Sequence, residues 1–354
     1  MSPVRKVVRV ASYVPTTVAE GVPVGAPDED AFTLGATAAE RAWAGRREEP
    51  GAVTVHLLGE FPPVADWGFS PLLGRGTEVV RHPGDSGELT STLRTLEDGA
   101  GGPAFLIAAE LPERGTGRAS KSPGRGAAAV AYLFEESEET SPFPLPKSAA
   151  ARTAVVTTLR LGGSSLDFPR FATLVGDWDR RPGAGRSIDK KLLPKVPEGN
   201  LGAVSEGAYI PRARYLENLP SRWRFLAETC NACQGTTFPA RGVCRRCGRA
   251  DALTAVALPY DGGRVVAVTT VGKGGQPTEF DAQVEAHGPY DVALVELARG
   301  MRVTLQVTDA AVGSLKVGDR VDTRLRRLYP MEGEWRYGRK AVPAVPSSAK
   351  AAEA

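Results

Sequence analysis
Outside residues 230–247 the 354-residue chain has no cysteine, and it has only three histidines, His56, His82 and His287. No apolar run approaches the roughly 18 residues a membrane helix needs; the longest, "AFLIAA" and "GAAAVAYLF", are of core size. The basic N-terminus "MSPVRKVVRVASYVP" lacks an uninterrupted apolar stretch, so no secretory signal is expected. There is no Asn-x-Ser/Thr acceptor, and the chain is read as cytoplasmic. Walker A, G-x-G-x-x-G, H-E-x-x-H and G-x-S-x-G are all missing. "GKGG" at 272–275 has no helix pattern behind it and is read as a turn. A dominant charge is lacking too: the net is +3, with 25 Lys/Arg against 27 Asp/Glu in residues 1–220 and 19 against 14 after that. The mildly basic C-terminal part suits an anionic small molecule or a protein face, and is too weak to imply nucleic acid.

What is present is concentrated. All four cysteines fall in "CNACQGTTFPARGVCRRC", as two C-x2-C pairs, Cys230/Cys233 and Cys244/Cys247, ten residues apart. Two residues between ligands make a tight knuckle, and two knuckles close a tetrahedral thiolate site. Gly235 and Gly248 stand where the backbone must turn sharply. In a cytoplasmic chain the pattern favours metal over disulfides. The expectation is a structural zinc; four protein ligands leave no open position for chemistry. Iron in a rubredoxin-like site and a redox dithiol pair are the competing readings, the latter without a thioredoxin-like context.

After the cysteines, "RVVAVTTV", "DVALVELA", "RVTLQVTD", "RVDTRLRRLY" and "EWRYGRKAV" read as strands, punctuated by Gly, Pro and Asp. Val303, Leu305 and Val307 share one face, as do Val321, Thr323 and Leu325. Five strands in about 80 residues fit a small Greek-key barrel of the OB type. "RYLENLPSRWRFLAETCNACQGTTFPARGVCRRCG", "TTVGKGGQPTEF", "GPYDVALVELARGMRVTLQVTD", "LKVGDRV" and "YGRKAVP" follow in order, with a helix carrying Trp223 and Phe225 before the ribbon. Over about residues 212–343 the chain resembles the domain-of-unknown-function family that joins a rubredoxin-like zinc ribbon to an acyl-CoA-associated OB-fold. The resemblance implies an accessory protein that sits beside thiolases, 3-hydroxy-3-methylglutaryl-CoA synthases or acyl-CoA hydratases and helps hold CoA thioesters, in lipid or isoprenoid metabolism. It implies no catalytic residue.

The first half alternates strands with helices: "VVRVASYVPTT", "DEDAFTLGATAAERAWAG" as an amphipathic helix with acidic residues at its start, "AVTVHLLGE", a helical "GELTSTLRTLEDG", "PAFLIAAE" and "AAAVAYLFEE". Through "SYVP", "PDEDAFTLGATAAERA", "GPAFLIAAE" and "GRGAAAVAYLFEE" residues 5–135 are similar to the N-terminal half of the thiolase fold, as in archaeal 3-hydroxy-3-methylglutaryl-CoA synthases. Such enzymes need a nucleophilic cysteine at a buried helix N-terminus. Here "GDSGELTSTL" offers Asp85 and Ser86 and no cysteine. His82, beside Pro83, is read as a solvent-facing loop residue, His56 as structural, and His287 as part of the barrel. A Ser86/His82 pair has no evident orienting acid or oxyanion hole. The catalytic assignment is none.

The expected organisation is an α/β, half-thiolase-like layer at 1–140, an extended linker or partner-docking segment at 141–205, a helix plus zinc ribbon at 206–250, an OB-fold at 251–344 and a disordered tail at 345–354. The favoured function is a non-catalytic scaffold that binds acyl-CoA and an active thiolase or 3-hydroxy-3-methylglutaryl-CoA synthase-type enzyme. Lys273, Arg302, Arg324 and Arg326 are the candidate partners for the anionic phosphates of CoA. The alternatives are a single-stranded nucleic-acid module, for which Tyr329, Trp335 and Tyr337 are the few aromatics available, and a divergent acyl-CoA condensing enzyme.

Overall fold
A computed structural model describes residues 4–43, 52–73, 76–82, 89–111, 127–137, 212–272, 288–331 and 334–344, some turn positions within 4–43 and 89–111 excepted. The chain divides into two units, Met1–Leu192 and Leu193–Ala354. The expected linker at 141–205 and tail at 345–354, together with Asp85, Ser86, Lys273 and His287, lie outside the described residues. No described helix is long and apolar enough to cross a membrane.

In the first unit the order is β1 (Val4–Tyr13), a small hairpin of β2 (Val18–Ala19) and β3 (Val22–Pro23), α1 (Ala31–Trp43), β4 (Val53–Leu58), α2 (Ala65–Leu73), β5 (Thr77–His82), α3 (Leu89–Glu97), β6 (Ala104–Glu110) and β7 (Ala128–Ser137). Five strands form one mixed sheet in the order β1-β7-β6-β4-β5. β4 runs parallel to β5 and β6, while β7 is antiparallel to β6 and β1. Helices cover both faces, which is why β6 and β7 read as near-continuous apolar runs rather than alternating ones. On one face Leu89, Leu93 and Leu96 of α3 pack on Leu58, Leu106, Val130 and Phe134. On the other, Trp43 of α1 lies 5.7 Å from the Phe105 ring, and Gly35 lets α1 approach so closely that a Cβ there would stand 2.9 Å from Ile107.

Two expectations change here. α1 is buried from Ala31 through Ala39 and again at Ala42, so it is a core helix and not a one-faced amphipath. Its acidic prefix is used locally: Asp30 Oδ1 accepts from the Thr33 amide and Thr33 Oγ1 accepts from the Asp30 amide, both at 2.9 Å, a reciprocal cap on the first turn. Glu29 accepts from the Tyr13 hydroxyl at 2.6 Å. The second change is at His82, which ends β5 and touches His56; it is not a loop residue. β5 and α2 themselves escaped the reading. Pro71 inside α2 obscures its helical signal, and Gly68 replaces a periodic apolar residue because a Cβ there would stand 2.5 Å from the Phe32 ring.

Among the described residues the second unit has α4 (Arg212–Glu217) and α5 (Leu219–Trp223), then β8 (Leu226–Cys230), β9 (Thr236–Thr237) and β10 (Leu253–Ala257). These three strands form an antiparallel sheet, order β10-β8-β9. β11 (Gly263–Val271), β12 (Tyr290–Glu296), β13 (Arg302–Gln306), β14 (Arg320–Met331) and β15 (Glu334–Pro343) form an antiparallel sheet in the order β13-β12-β11-β14-β15. All five expected strands are present. The two outer strands approach through one parallel bridge, Val307 to Ala341, with the Thr308 amide donating to the Ala341 carbonyl at 2.9 Å. Inside lie Val265, Ala293, Val295, Leu305, Val321 and Ala341, joined by Phe225 from the segment after α5. The face expected from Val303, Leu305 and Val307 is the inward one.

Candidate metal centre
β8 delivers Cys230 at its last residue, and the chain turns at once to bring Cys233 back beside it. The two knuckles are built alike. The Gln234 amide donates to the Cys230 carbonyl at 2.8 Å and the Gly248 amide to the Cys244 carbonyl at 2.9 Å. The Cys230 amide donates to the Gly235 carbonyl and the Cys244 amide to the Arg249 carbonyl, at 2.9 and 2.8 Å. The fourth residue after each leading cysteine takes the left-handed region, Gln234 at φ 58° and Gly248 at φ 75°. Gly248 therefore serves as expected. Gly235 does not supply a positive φ; it supplies space, since a Cβ there would stand 3.2 Å from Cys233 Sγ and 3.1 Å from Arg246 Cβ.

The four sulfurs converge within 4.8 Å of one another. Cys230 and Cys247 Sγ are 3.6 Å apart, Cys233 and Cys244 Sγ 3.5 Å. A tetrahedron with metal–sulfur bonds of about 2.3 Å has edges of about 3.8 Å, so the donor set fits a tetrahedral thiophilic ion. Two of the thiols are shifted in opposite directions. The amides of Cys247 and then Arg246 hold the Cys244 thiol down to about 6. At Cys233 the Gly235 amide favours the thiolate, but desolvation and the three neighbouring sulfurs outweigh it and push the thiol up to about 12. Without a cation, Cys233 therefore keeps its proton at neutral pH.

Residues that spacing did not reveal hold the centre in shape. Glu228 on β8 accepts from the amides of Arg241 and Gly242, both at 2.9 Å, pinning the loop before the second knuckle. Thr237 Oγ1 accepts from the Arg245 amide at 3.1 Å. A lone Glu and a lone Thr at these distances in sequence carry no signal that would have found them.

The candidate phosphate cations are placed very differently. Arg302 is on the outer strand β13, exposed and paired with Glu296 at 3.1 Å. Arg324 on β14 pairs with Asp261 at 2.9 Å and stands 3.8 Å from Asp322. Arg326 is internal: its side chain is 0% exposed and pairs with Asp309 at 3.1 Å. Two strands separate β13 from β14 in the hydrogen-bonded order. Of the aromatics a nucleic-acid platform would use, Tyr337 is buried, and half-buried Trp335 carries the Arg327 guanidinium 4.7 Å above its ring.

A DUF35 domain-containing scaffold protein of Methanothermobacter thermautotrophicus is 32% identical to this chain over 122 residues, 34% of this chain and 85% of the relative. This chain belongs to the DUF35 domain-containing scaffold proteins. A second DUF35 scaffold protein, from Methanocaldococcus jannaschii, is 27% identical over 132 residues, 37% of this chain and 89% of the relative. The DUF35 match thus accounts for about a third of the chain. No protein-family model matches it. Among solved structures, the Ltp2-ChsH2(DUF35) aldolase is 25% identical, with 39% of this chain and 99% of that one covered, at a TM-score of 0.30. MvaS in complex with 3-hydroxy-3-methylglutaryl coenzyme A is 18% identical, with 49% and 50% covered, also at 0.30.

Proposed function
We propose that this DUF35 protein is a non-catalytic scaffold, its ribbon stapled by one structural zinc ion, that holds a CoA thioester beside a condensing enzyme of the thiolase or 3-hydroxy-3-methylglutaryl-CoA synthase type. One observation carries the reading: every cysteine of the chain is gathered within 4.8 Å in the ribbon. A thiolate shared with a metal is a poor nucleophile toward a thioester, and a site of four protein ligands leaves no position for substrate. Membership among proteins named as scaffolds points the same way. Zinc, when bound by Cys230, Cys233, Cys244 and Cys247, would supply cohesion to the β8–β10 sheet and no reaction step.

In this reading the thioester's phosphates meet the five-stranded sheet, whose curvature toward an OB-type barrel is supported by the Val307–Ala341 bridge. Lys273 and Arg302 are the cations proposed for that contact. Arg302 is paired with Glu296 but lies in solvent, whereas the side chains of Arg324 and Arg326 are largely enclosed beside Asp261 and Asp309 and are assigned to folding. The α/β unit, which lacks cysteine altogether, is proposed to dock on the partner enzyme. The test is affinity isolation of the tagged full chain from its native host, with mass spectrometry of the proteins and thioesters retained. Recovery of a condensing enzyme, and of a CoA thioester that leaves when Arg302 is changed to Glu, supports the reading. A monomer that retains neither contradicts it.

A further inference from the structure
The histidine pair of the α/β unit has no part in the proposed scaffold function. His56 stands on β4 and His82 ends β5, the neighbouring parallel strand, where it is in register with Leu58. His56 Nδ1 and His82 Nε2 are 2.9 Å apart, the ring centroids 5.1 Å. A contact this short joins an N–H of one ring to a lone pair of the other, so two fully protonated rings cannot make it. His56 is 9% exposed, and its Nε2 is buried without a hydrogen-bond partner among the described residues. A proton placed there would find no acceptor.

We propose that His56 and His82 form an acid-operated latch that holds β5 against β4. Among the described residues β5 has one strand neighbour, β4. On the α2 side Arg81 ties β5 down, donating to Asp66 at 2.6 Å and to the carbonyls of Phe61 and Pro62 at 3.0 and 3.1 Å. The imidazole contact is the matching tie on the α3 side, since His56 and Leu58 share a face of β4 and Leu58 packs on α3. The charged groups on that side are Arg5 of β1, Glu78 of β5, Glu136 of β7, and Arg94 and Glu97 of α3; β6 places Leu106 beside His56. Burial first, then His82, then Arg5 hold His56 well below its ordinary value, at about 4. The folded ring thus refuses a proton that the opened chain accepts near 6.5. Stability of the strand pair is complete above about 6.5 and is lost as pH falls toward 4. Opening releases β5 and bares the backbone edge of β4.

With only three histidines, imidazole resonances of the full chain can be followed directly from pH 8 to 4, His287→Gln and His56→Gln assigning them. The latch requires that His56 stay neutral through pH 6. It also requires that exchange of the Val79, Val80, Arg81 and His82 amides, corrected for intrinsic rate, quicken at least about tenfold between pH 7 and 5 in the native chain. In His56→Gln that acceleration disappears. If the variant does not fold, the native titration and exchange decide alone. A His56 ring that titrates near 6.5, or β5 protection unchanged between pH 7 and 5, overturns the proposal.

Discussion

Tyr215 and Tyr337 hold each other through a single hydroxyl. Tyr215 Oη donates to the Tyr337 carbonyl at 3.0 Å and accepts from the Tyr337 amide at 2.9 Å. Trp223 Nε1 donates to the same carbonyl at 3.0 Å. The helical pair α4–α5 is thereby fastened to the middle of β15 through buried polar groups, and burial pushes the Tyr215 phenol far above its ordinary range.

Tyr215→Phe therefore takes an acceptor from a buried amide of β15 and a donor from the carbonyl of the same residue. Unmaking a buried pair of this kind costs about 1–3 kcal/mol. Urea unfolding of the full chain should show that loss, with an unchanged slope; no change in midpoint would mean that water replaces the hydroxyl.

Arg326 and Arg302 should differ sharply in cost when each is changed to Met. Arg326 is fully buried against Asp309, and breaking a buried pair costs roughly 3–5 kcal/mol. Arg302 is paired with Glu296 in solvent, where an ion pair contributes at most about 1 kcal/mol. Thermal unfolding should separate the two clearly. Equal, small effects would return Arg326 to the set of available phosphate ligands.

Gly68→Ala sets two effects against each other. Alanine favours a helix interior by about 1 kcal/mol. Its Cβ, however, would enter the Phe32 ring at 2.5 Å, where Phe32 and Phe69 pack edge to face at 5.1 Å. Overpacking at about 1–3 kcal/mol wins, so the variant should melt below the native chain. A higher melting temperature would show that α2 shifts freely.

Cys233→Ser should take bound metal from one ion per chain to substoichiometric content, read by elemental analysis, and should expose the β8–β10 amides to exchange. Gly235→Ala should weaken metal retention under a chelator while leaving all four ligands, because its Cβ crowds Cys233 Sγ. Retention of a full equivalent by Cys233→Ser would remove that residue from the ligand set.

The four-cysteine cluster was legible because ligand spacing is local: two C-x2-C pairs specify their own knuckles. The five strands of the second unit were legible because alternation is local too; Val303, Leu305 and Val307 mark their face unaided. What sequence did not yield depends on distant partners. β5 and His82 acquire their place from β4 and His56. Arg326 looks like any surface arginine until Asp309 and the sheet enclose it. The α1 pattern suggested one apolar face, whereas Thr33, Gly35 and Thr37 are small enough to be buried on the others.

The most direct test exposes the native chain, as purified, to a radiolabelled acyl-CoA, quenches with an alkylating reagent without denaturant, and weighs the intact polypeptide. A scaffold with its sulfurs bound to metal predicts the unmodified mass, with neither acyl group nor alkyl label on Cys230, Cys233, Cys244 or Cys247. An acyl group covalently attached to the polypeptide would contradict it.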